Sequence, residues 1–443
     1  MSAATAPTGV PVGYRREVFL PRDERAFVTL DPVHVDGIAN LAGRVTGQVD
    51  KRDQTDIAER AWQEFLDPLY DDGEVVLEPL GEHRRLVASL PDVALAESPF
   101  PTHHGLDAGT INPTTFKNGL VLDVSQAAMA AAPSSVDLHR ERTLVMTVHT
   151  NDPTVDLDED WQGGDEGYAR RRILQAPRVD RYEQTVVHAL ALYRAESEHA
   201  LAHSETVEDL LVLDGPLYPT GLLRWVERDP ELKRLVIEQA EFTGVVENYL
   251  DLVERFVERD VPLVGFVKNS SSKALSRVLR KKTGAPWVDD EAFFRRVLER
   301  RADGDRRTDA LSATGWFRSR LGTDGLLGGG DLDLGYEFAL DPAAYEVTFL
   351  VVYDPREDLV YRVEAPYAVT SDPQRRAQLT RFVLASVAGE RGPPLAVQKA
   401  DELARIDRQG KQTLRRRIER EFETDRQRSY NDHRWGPGQA DGL

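Results

Sequence analysis

The sequence predicts an α/β fold, a mixed sheet with helices packed on it. Two observations carry this. Three strand-like runs follow one another between residues 104 and 149, and from 181 to 269 two long helical stretches alternate with the runs LLVLDGPL and VPLVGFVKN. Those two runs are apolar without alternation, the pattern of strands covered on both faces. With 443 residues, 41% of them hydrophobic, the chain can build more than one domain's worth of core.

In chain order, residues 1–26 are Pro/Gly/Thr-rich, then Arg-rich, and read as a loose lead-in. From 31 to 69 Val33, Ile38, Leu41 and Val45, then Ile57, Ala61, Phe65 and Leu69, recur at helical spacing, with Asp31 as N-cap and Pro32 at the first helical position. Two short strands are expected between Glu74 and Leu90. His104 to Thr110 reads as a short strand ending in a glycine turn, LVLDVSQAAMAA (120–131) as a second strand and Arg142 to His149 as a third. An acidic loop spans 152–167. A helix follows over 181–203, with Val186, Leu190, Tyr193, Ser197 and Leu201 on one stripe, then a strand closing on Asp214-Gly215. Another long helix spans 231–259, followed by a strand over 261–269 and a basic helix over 273–282. Loops are expected at 302–308 and 322–335, a hairpin at 345–366 with Asp354-Pro355 near its turn, a helix at 372–388 and a helical run to about 407. The tail is charged, and no internal repeat is seen. This divides the chain into an extension (1–100), a core (101–300), a C-terminal part (301–407) and the tail (408–443).

The charge is −19, with nine lysines against 47 arginines and no cysteine. Disulfides, thiolate metal sites, iron–sulfur clusters and cysteine nucleophiles are excluded. Acidic and lysine-poor composition fits a high-salt cytoplasm, where a Debye length of about 3 Å at molar salt screens self-repulsion. In such a cell a low pI does not exclude a nucleic-acid partner, because simple phosphate neutralisation is already suppressed. No apolar run reaches the roughly 18 residues of a membrane span, and residues 1–25 lack a leader pattern, so the expectation is a cytoplasmic protein without membrane contact.

The motifs GxxxxGK[ST], HExxH and GxSxG are absent. GLLGGGD (325–331) has no strand leading into it and reads as a loop. Asp331, Asp333 and Gly335 resemble half a calcium loop without its Glu, and surface acidity explains them. Asp214 stands out, because four apolar residues lead into it and Gly215-Pro216 follow. That position is either a strand-end ligand site or a turn cap. Asp107 has the same form. On neighbouring strands both carboxylates would enter one pocket and repel unless a cation lies between them, and an all-oxygen set favours magnesium or manganese over zinc. Glu196 and Glu198 point about 200° apart on a helix, so at most one faces the sheet; Glu196 is preferred, with Glu198 the alternative. Lys268 either meets a phosphate or ends its strand. Lys273, Arg277, Arg280, Lys281 and Lys282 form a basic face; four of the nine lysines fall within 268–282, which marks either a polyanion contact or a solvated helix face.

Taken together these residues resemble the NurA nuclease family. GLDAGT (105–110) looks like its first Asp motif, LLVLDGPL (210–217) its second, RAESEHA (194–200) its helical Glu, VGFVKN (264–269) its strand and lysine, YRVEAP (361–366) its R-x-E-x-P segment, and GPPLAVQKADELARI (392–406) its closing motif. The order is kept over roughly 100–407, and INPTTFKNGLVLDVSQAAMAA (111–131) looks like the haloarchaeal version. The resemblance implies an RNase H-like core with N-terminal helical and C-terminal α+β additions. It also implies a manganese- or magnesium-dependent DNA nuclease with 5′-to-3′ exonuclease and single-strand endonuclease activity, and a homodimer that docks on a HerA-type hexameric ATPase during double-strand-break end resection. On this reading Asp107, Asp214 and Glu196 (or Glu198) hold the metal, Lys268 meets the phosphate, and Lys273, Arg277, Arg280, Lys281 and Lys282 contact DNA. The family's closing Tyr aligns with Pro393 and its His with Asp401. Asp401 can ligate as a His does but adds a negative charge, so either the site is rebuilt with another acid or the enzyme is weakened. The alternative function is therefore a non-catalytic subunit that binds DNA and the ATPase.

Overall fold

The computed structural model describes residues 32–46, 51–164, 167–327, 332 and 335–428. The expectations placed on residues 1–26, the Asp31 cap, Asp331 and Asp333, and on 328–331 of the glycine run, lie outside these residues. The chain divides into two units, Met1–Asp53 and Gln54–Leu443. In the first, helix α1 (Pro32–Thr46) carries Val35, Ile38, Leu41 and Val45 on one exposed stripe. Helix α2 spans Lys51–Phe65. No described helix is long and apolar enough to cross a membrane.

The second unit is built on one large mixed sheet. Its strands of three or more residues are β1 (Leu69–Asp71), β2 (Glu74–Pro79), β3 (Arg85–Ser89), β4 (His103–Thr110), β5 (Val121–Ala132), β6 (Arg142–His149), β7 (Ala169–Gln175), β8 (Leu211–Asp214), β9 (Leu263–Val267), β10 (Ala310–Thr314), β11 (Phe317–Ser319), β12 (Val347–Asp354) and β13 (Leu359–Pro366). The path runs β1-β2-β11-β12-β13-β9-β8-β4-β5-β6-β7, with β10 joining β12 to β3. The pairs β4–β8, β8–β9 and β6–β7 are parallel, and the rest are antiparallel. The longer helices are α3 (Glu183–Ala202), α4 (Pro230–Glu238), α5 (Ala240–Glu258), α6 (Ala274–Thr283), α7 (Asp290–Leu298), α8 (Pro373–Glu390), α9 (Leu395–Ala404) and α10 (Arg408–Glu421).

The unbroken apolar run into β8 is explained by burial on both faces. Leu211 and Leu213 join a cluster with Val186 and Leu190 of α3 and Val245 and Val253 of α5. Leu210 and Val212 join a cluster on the opposite face with Phe382 and Val383 of α8 and Val397 of α9. A third cluster gathers Trp62, Leu66, Leu77, Leu279, Phe293, Phe317 and Phe349.

Four elements differ from expectation. Strand β4 does not end in a glycine turn: it continues through Gly109 to Thr110, so Asp107 lies within the strand rather than at its end. The helix expected over 231–259 is two helices, because Gln239 is extended at φ −99° and ψ 120°. Strand β7, ARRRILQ, has three arginines where apolar residues would betray a strand; the Arg170 guanidinium lies over the Trp161 ring at 4.5 Å and donates to Thr143 Oγ1 at 3.0 Å, so an arginine packs where an apolar side chain would. The charged tail begins as a helix, α10, anchored by Leu414, Ile418 and Phe422 against Ile111, Phe116, Leu122 and Val124.

Candidate metal centre

Strands β4 and β8 run parallel with Leu106 opposite Leu213, so the next residues, Asp107 and Asp214, fall side by side. Gly105 and Gly109 share the Asp107 face of β4, because alternate strand residues point the same way. A Cβ on Gly105 would lie 2.3 Å from the carbonyl carbon of Ala396 and the nitrogen of Val397, and one on Gly109 would lie 2.3 Å from the carbonyl oxygen of Ala404. Two missing side chains thus let α9 rest directly on the strand backbone, which delivers Asp401 to the other two acids. Carboxylate oxygens of Asp107, Asp214 and Asp401 lie within 4.8 Å of one another.

Three carboxylates this close cannot all be ionised without compensation. Burial first, then the charge of Asp214, then the charge of Asp401 and a hydrogen bond with it, push the Asp107 carboxyl up to about 7, against a hydrogen bond from the Ala108 amide. Burial also raises Asp214, opposed by Lys268, whose Nζ donates to Asp214 Oδ2 at 2.6 Å. Among the described residues Lys268 is the cation hydrogen-bonded to the cluster. The donor set is all oxygen, carries more negative charge than its lysine offsets, and has one exposed member in Asp401. It therefore fits a hard divalent cation such as Mn²⁺ or Mg²⁺.

The two helical acids go to different places. Glu196 accepts a hydrogen bond from the buried Tyr249 hydroxyl at 2.9 Å and lies beside Asp214 on the wall of a small cavity with Tyr193 and Tyr218. Burial and the charges of Asp107 and Asp214 push Glu196 up to about 8. It stands outside the close cluster but within its field. Glu198 is turned toward Arg194 at 3.6 Å and Arg172 at 3.9 Å. The basic residues also divide. Lys273 and Arg277 line a cavity of about 660 Å³ with Arg224, Arg228 and Arg362. Arg280 donates to the Trp287 carbonyl at 3.0 Å, Lys281 pairs with Asp71 at 3.0 Å, and Lys282 is exposed.

Sequence reasoning did not identify Tyr249 as a partner of Glu196. Its signal is a phenol on the apolar stripe that also carries Phe242, Val246 and Phe256. Nor did it give a role to Glu364, whose Oε2 accepts from the Leu217 amide at 3.0 Å and so holds the chain leaving Asp214; Arg362 pairs with Glu364 at 2.7 Å and with Asp324 at 2.8 Å.

The NurA domain model matches residues 101–406. Similar solved structures include the NurA nuclease from Sulfolobus solfataricus, at 13% identity and a TM-score of 0.46, covering 89% of this chain and 98% of that one. A NurA bound to dAMP and manganese matches at 10% identity and a TM-score of 0.40, covering 88% and 97%. A NurA with manganese matches at 11% and 0.36, covering 75% and 95%. No curated protein sequence matches.

Proposed function

Since the chain belongs to the NurA family, we propose that it is a manganese- or magnesium-dependent deoxyribonuclease. On this reading it degrades DNA from 5′ to 3′, cuts single strands, and works as a homodimer with a HerA-type hexameric ATPase in double-strand-break end resection. It is of the haloarchaeal type, in a salt-rich cytoplasm, and its sheet is an RNase H-like core with N-terminal helical and C-terminal α+β additions. The observation that carries the reading is the convergence of Asp107, Asp214 and Asp401 from two strands and a helix.

In this proposal Asp107, Asp214 and Asp401 hold the ion, and Glu196 faces the same centre on its Tyr249 hydrogen bond. When bound, the ion supplies charge neutralisation at the phosphate and lowers the pKa of water for attack on the phosphodiester. Lys268 places an ammonium beside Asp214, where it offsets charge on the substrate phosphate. Lys273 and Arg277 line the adjoining cavity and orient the strand. No side chain has to act as a covalent nucleophile.

The second reading, a non-catalytic DNA- and ATPase-binding subunit, rests on Pro393 in place of the family's Tyr. The position of Asp401 favours the catalytic one, because it fills the place of the family's His with another ligand. The test is cleavage of end-labelled linear DNA in high KCl with Mn²⁺, Mg²⁺ or EDTA, beside Asp107→Asn. Metal-dependent cutting that disappears in the folded variant supports the nuclease; folded protein that never cuts, even with the ATPase added, supports the subunit.

A further inference from the structure

A groove of about 540 Å³, separate from the cavity lined by Lys273 and Arg277, opens from the carboxylate centre. Its floor is Asp107 to Thr110 of β4, and one side begins at Asp401 and Arg405. The opposite side is α10, which presents Arg408, Lys411 and Arg415. This helix lies beyond the residues the family model matches. We propose that α10 makes the groove a track for one strand of nucleic acid running to the carboxylate centre, with Arg405, Arg408 and Lys411 contacting its phosphates. The proposal rests on the nuclease reading and extends it to a binding element outside the family domain.

Charge points to the occupant. In a chain of net charge −19, this groove gathers four cations. Its acids at the inner end are the metal-site candidates Asp107 and Asp401. The third, Asp407, is engaged as the N-cap of α10, accepting from the Gly410 amide at 2.6 Å. Arg405 and Lys411 are engaged by no carboxylate among the described residues, whereas Lys281 and Lys117 are paired with acids at 3.0 and 2.7 Å. A space of this size takes a nucleotide or two of a single strand and not a duplex.

The wall is fixed in place. Phe422, just past α10, meets Phe116 edge-on with ring centroids 5.2 Å apart, and Ile418 is buried. Arg415 donates to the Ile111 carbonyl at 3.1 Å, so it positions the helix. Beyond the helix the Gln427 amide donates to the Thr115 carbonyl at 2.8 Å and the Lys117 amide to the Asp425 carbonyl at 3.0 Å. The chain past the family domain is thereby clasped to residues 111–124, and its basic residues are held over the groove.

The test is anisotropy of a labelled oligo-dT strand bound to the full chain in EDTA, across a KCl series. Each phosphate deprived of its cation lowers the slope of log affinity against log salt by about 0.7. The triple Arg405→Gln/Arg408→Gln/Lys411→Gln is expected to lower the slope by about 2 and to weaken binding at least tenfold at the lowest salt. The control Arg416→Gln/Arg417→Gln/Arg420→Gln makes the same charge change on the far side of α10 and is expected to keep the wild-type slope. Equal slopes for both triples, or an unchanged slope in the first, overturn the track. If the first triple does not fold, Lys411→Gln alone is read for a slope change of about 0.7. Wild-type protein that cuts DNA with Mn²⁺ while the first triple keeps its slope sinks the track alone; wild-type protein that neither binds nor cuts sinks the nuclease reading with it.

Discussion

Lys268, the residue just past β9, donates a 2.6 Å hydrogen bond to Asp214, the last residue of the adjacent parallel strand β8. The ammonium occupies a carboxylate that a metal would also use, so lysine and cation compete for the same charge. Lys268→Met is therefore expected to lower the Mn²⁺ concentration needed for half-maximal activity. At saturating Mn²⁺ it should still slow cleavage about a hundredfold, through loss of the charge beside the phosphate. An unchanged rate at saturation removes Lys268 from the chemistry.

The raised carboxyls make stability depend on pH. Asp107 is pushed up to about 7 and Glu196 up to about 8, both above their unfolded values near 4. Preferential protonation in the folded chain then contributes stability that is fully present below about pH 4 and is lost as pH rises through about 8. The melting temperature of metal-free protein should fall from pH 5 to pH 8, Mn²⁺ should raise it more at pH 8 than at pH 5, and Asp107→Asn should flatten the slope. A melting temperature independent of pH over that window contradicts this account.

Gly109→Ala places a methyl group 2.3 Å from the Ala404 carbonyl oxygen, which only a shift of α9 relieves. Overpacking of this kind costs about 1–3 kcal/mol. Because Asp401 rides on α9, Mn²⁺ affinity should fall further than stability does. Calorimetric Mn²⁺ titration beside thermal melts compares the two, and wild-type Mn²⁺ affinity in a destabilised variant would break the link.

Glu196→Gln and Glu198→Gln differ by two positions on one helix and should differ in kind. The first is expected to change the Mn²⁺ dependence of cleavage, since Glu196 lies in the field of Asp107 and Asp214. The second should leave it alone and lower stability instead, because Glu198 is the carboxylate facing the largely buried Arg194 and Arg172. An unchanged Mn²⁺ dependence in Glu196→Gln would remove that acid from the centre.

Asp401→His keeps a metal-ligating side chain at this position and removes a negative charge. It should keep metal-dependent cleavage, whereas Asp401→Ala should raise the Mn²⁺ requirement at least tenfold. Activity equal to wild type in Asp401→Ala would leave a two-acid centre.

The sheet and its main helices were legible because β8 and β9 are buried on both faces and α3 carries a regular apolar stripe. Strand β7 was not, since arginines stand in place of apolar side chains there, one of them stacked on Trp161. Helix α10 was hidden by its charge: Leu414 and Ile418 are its whole apolar contribution, with Phe422 just past its end, and their partners lie some 300 residues earlier. At the centre, Asp107 and Asp214 could be singled out by their apolar surroundings. The reach of Asp401 to them could not, because it depends on how closely a helix approaches a strand, and glycines that permit close approach look in sequence like glycines that make turns. The separation of Glu196 from Glu198 needed the position of α5, which supplies Tyr249.

Because α9 sits on bare main chain at Gly105 and Gly109, the spacing of the third acid from the other two is fixed by peptide against peptide. Neither glycine can acquire even a methyl group without moving the helix that carries Asp401. In this fold the third acid owes its place to the empty space beneath its helix.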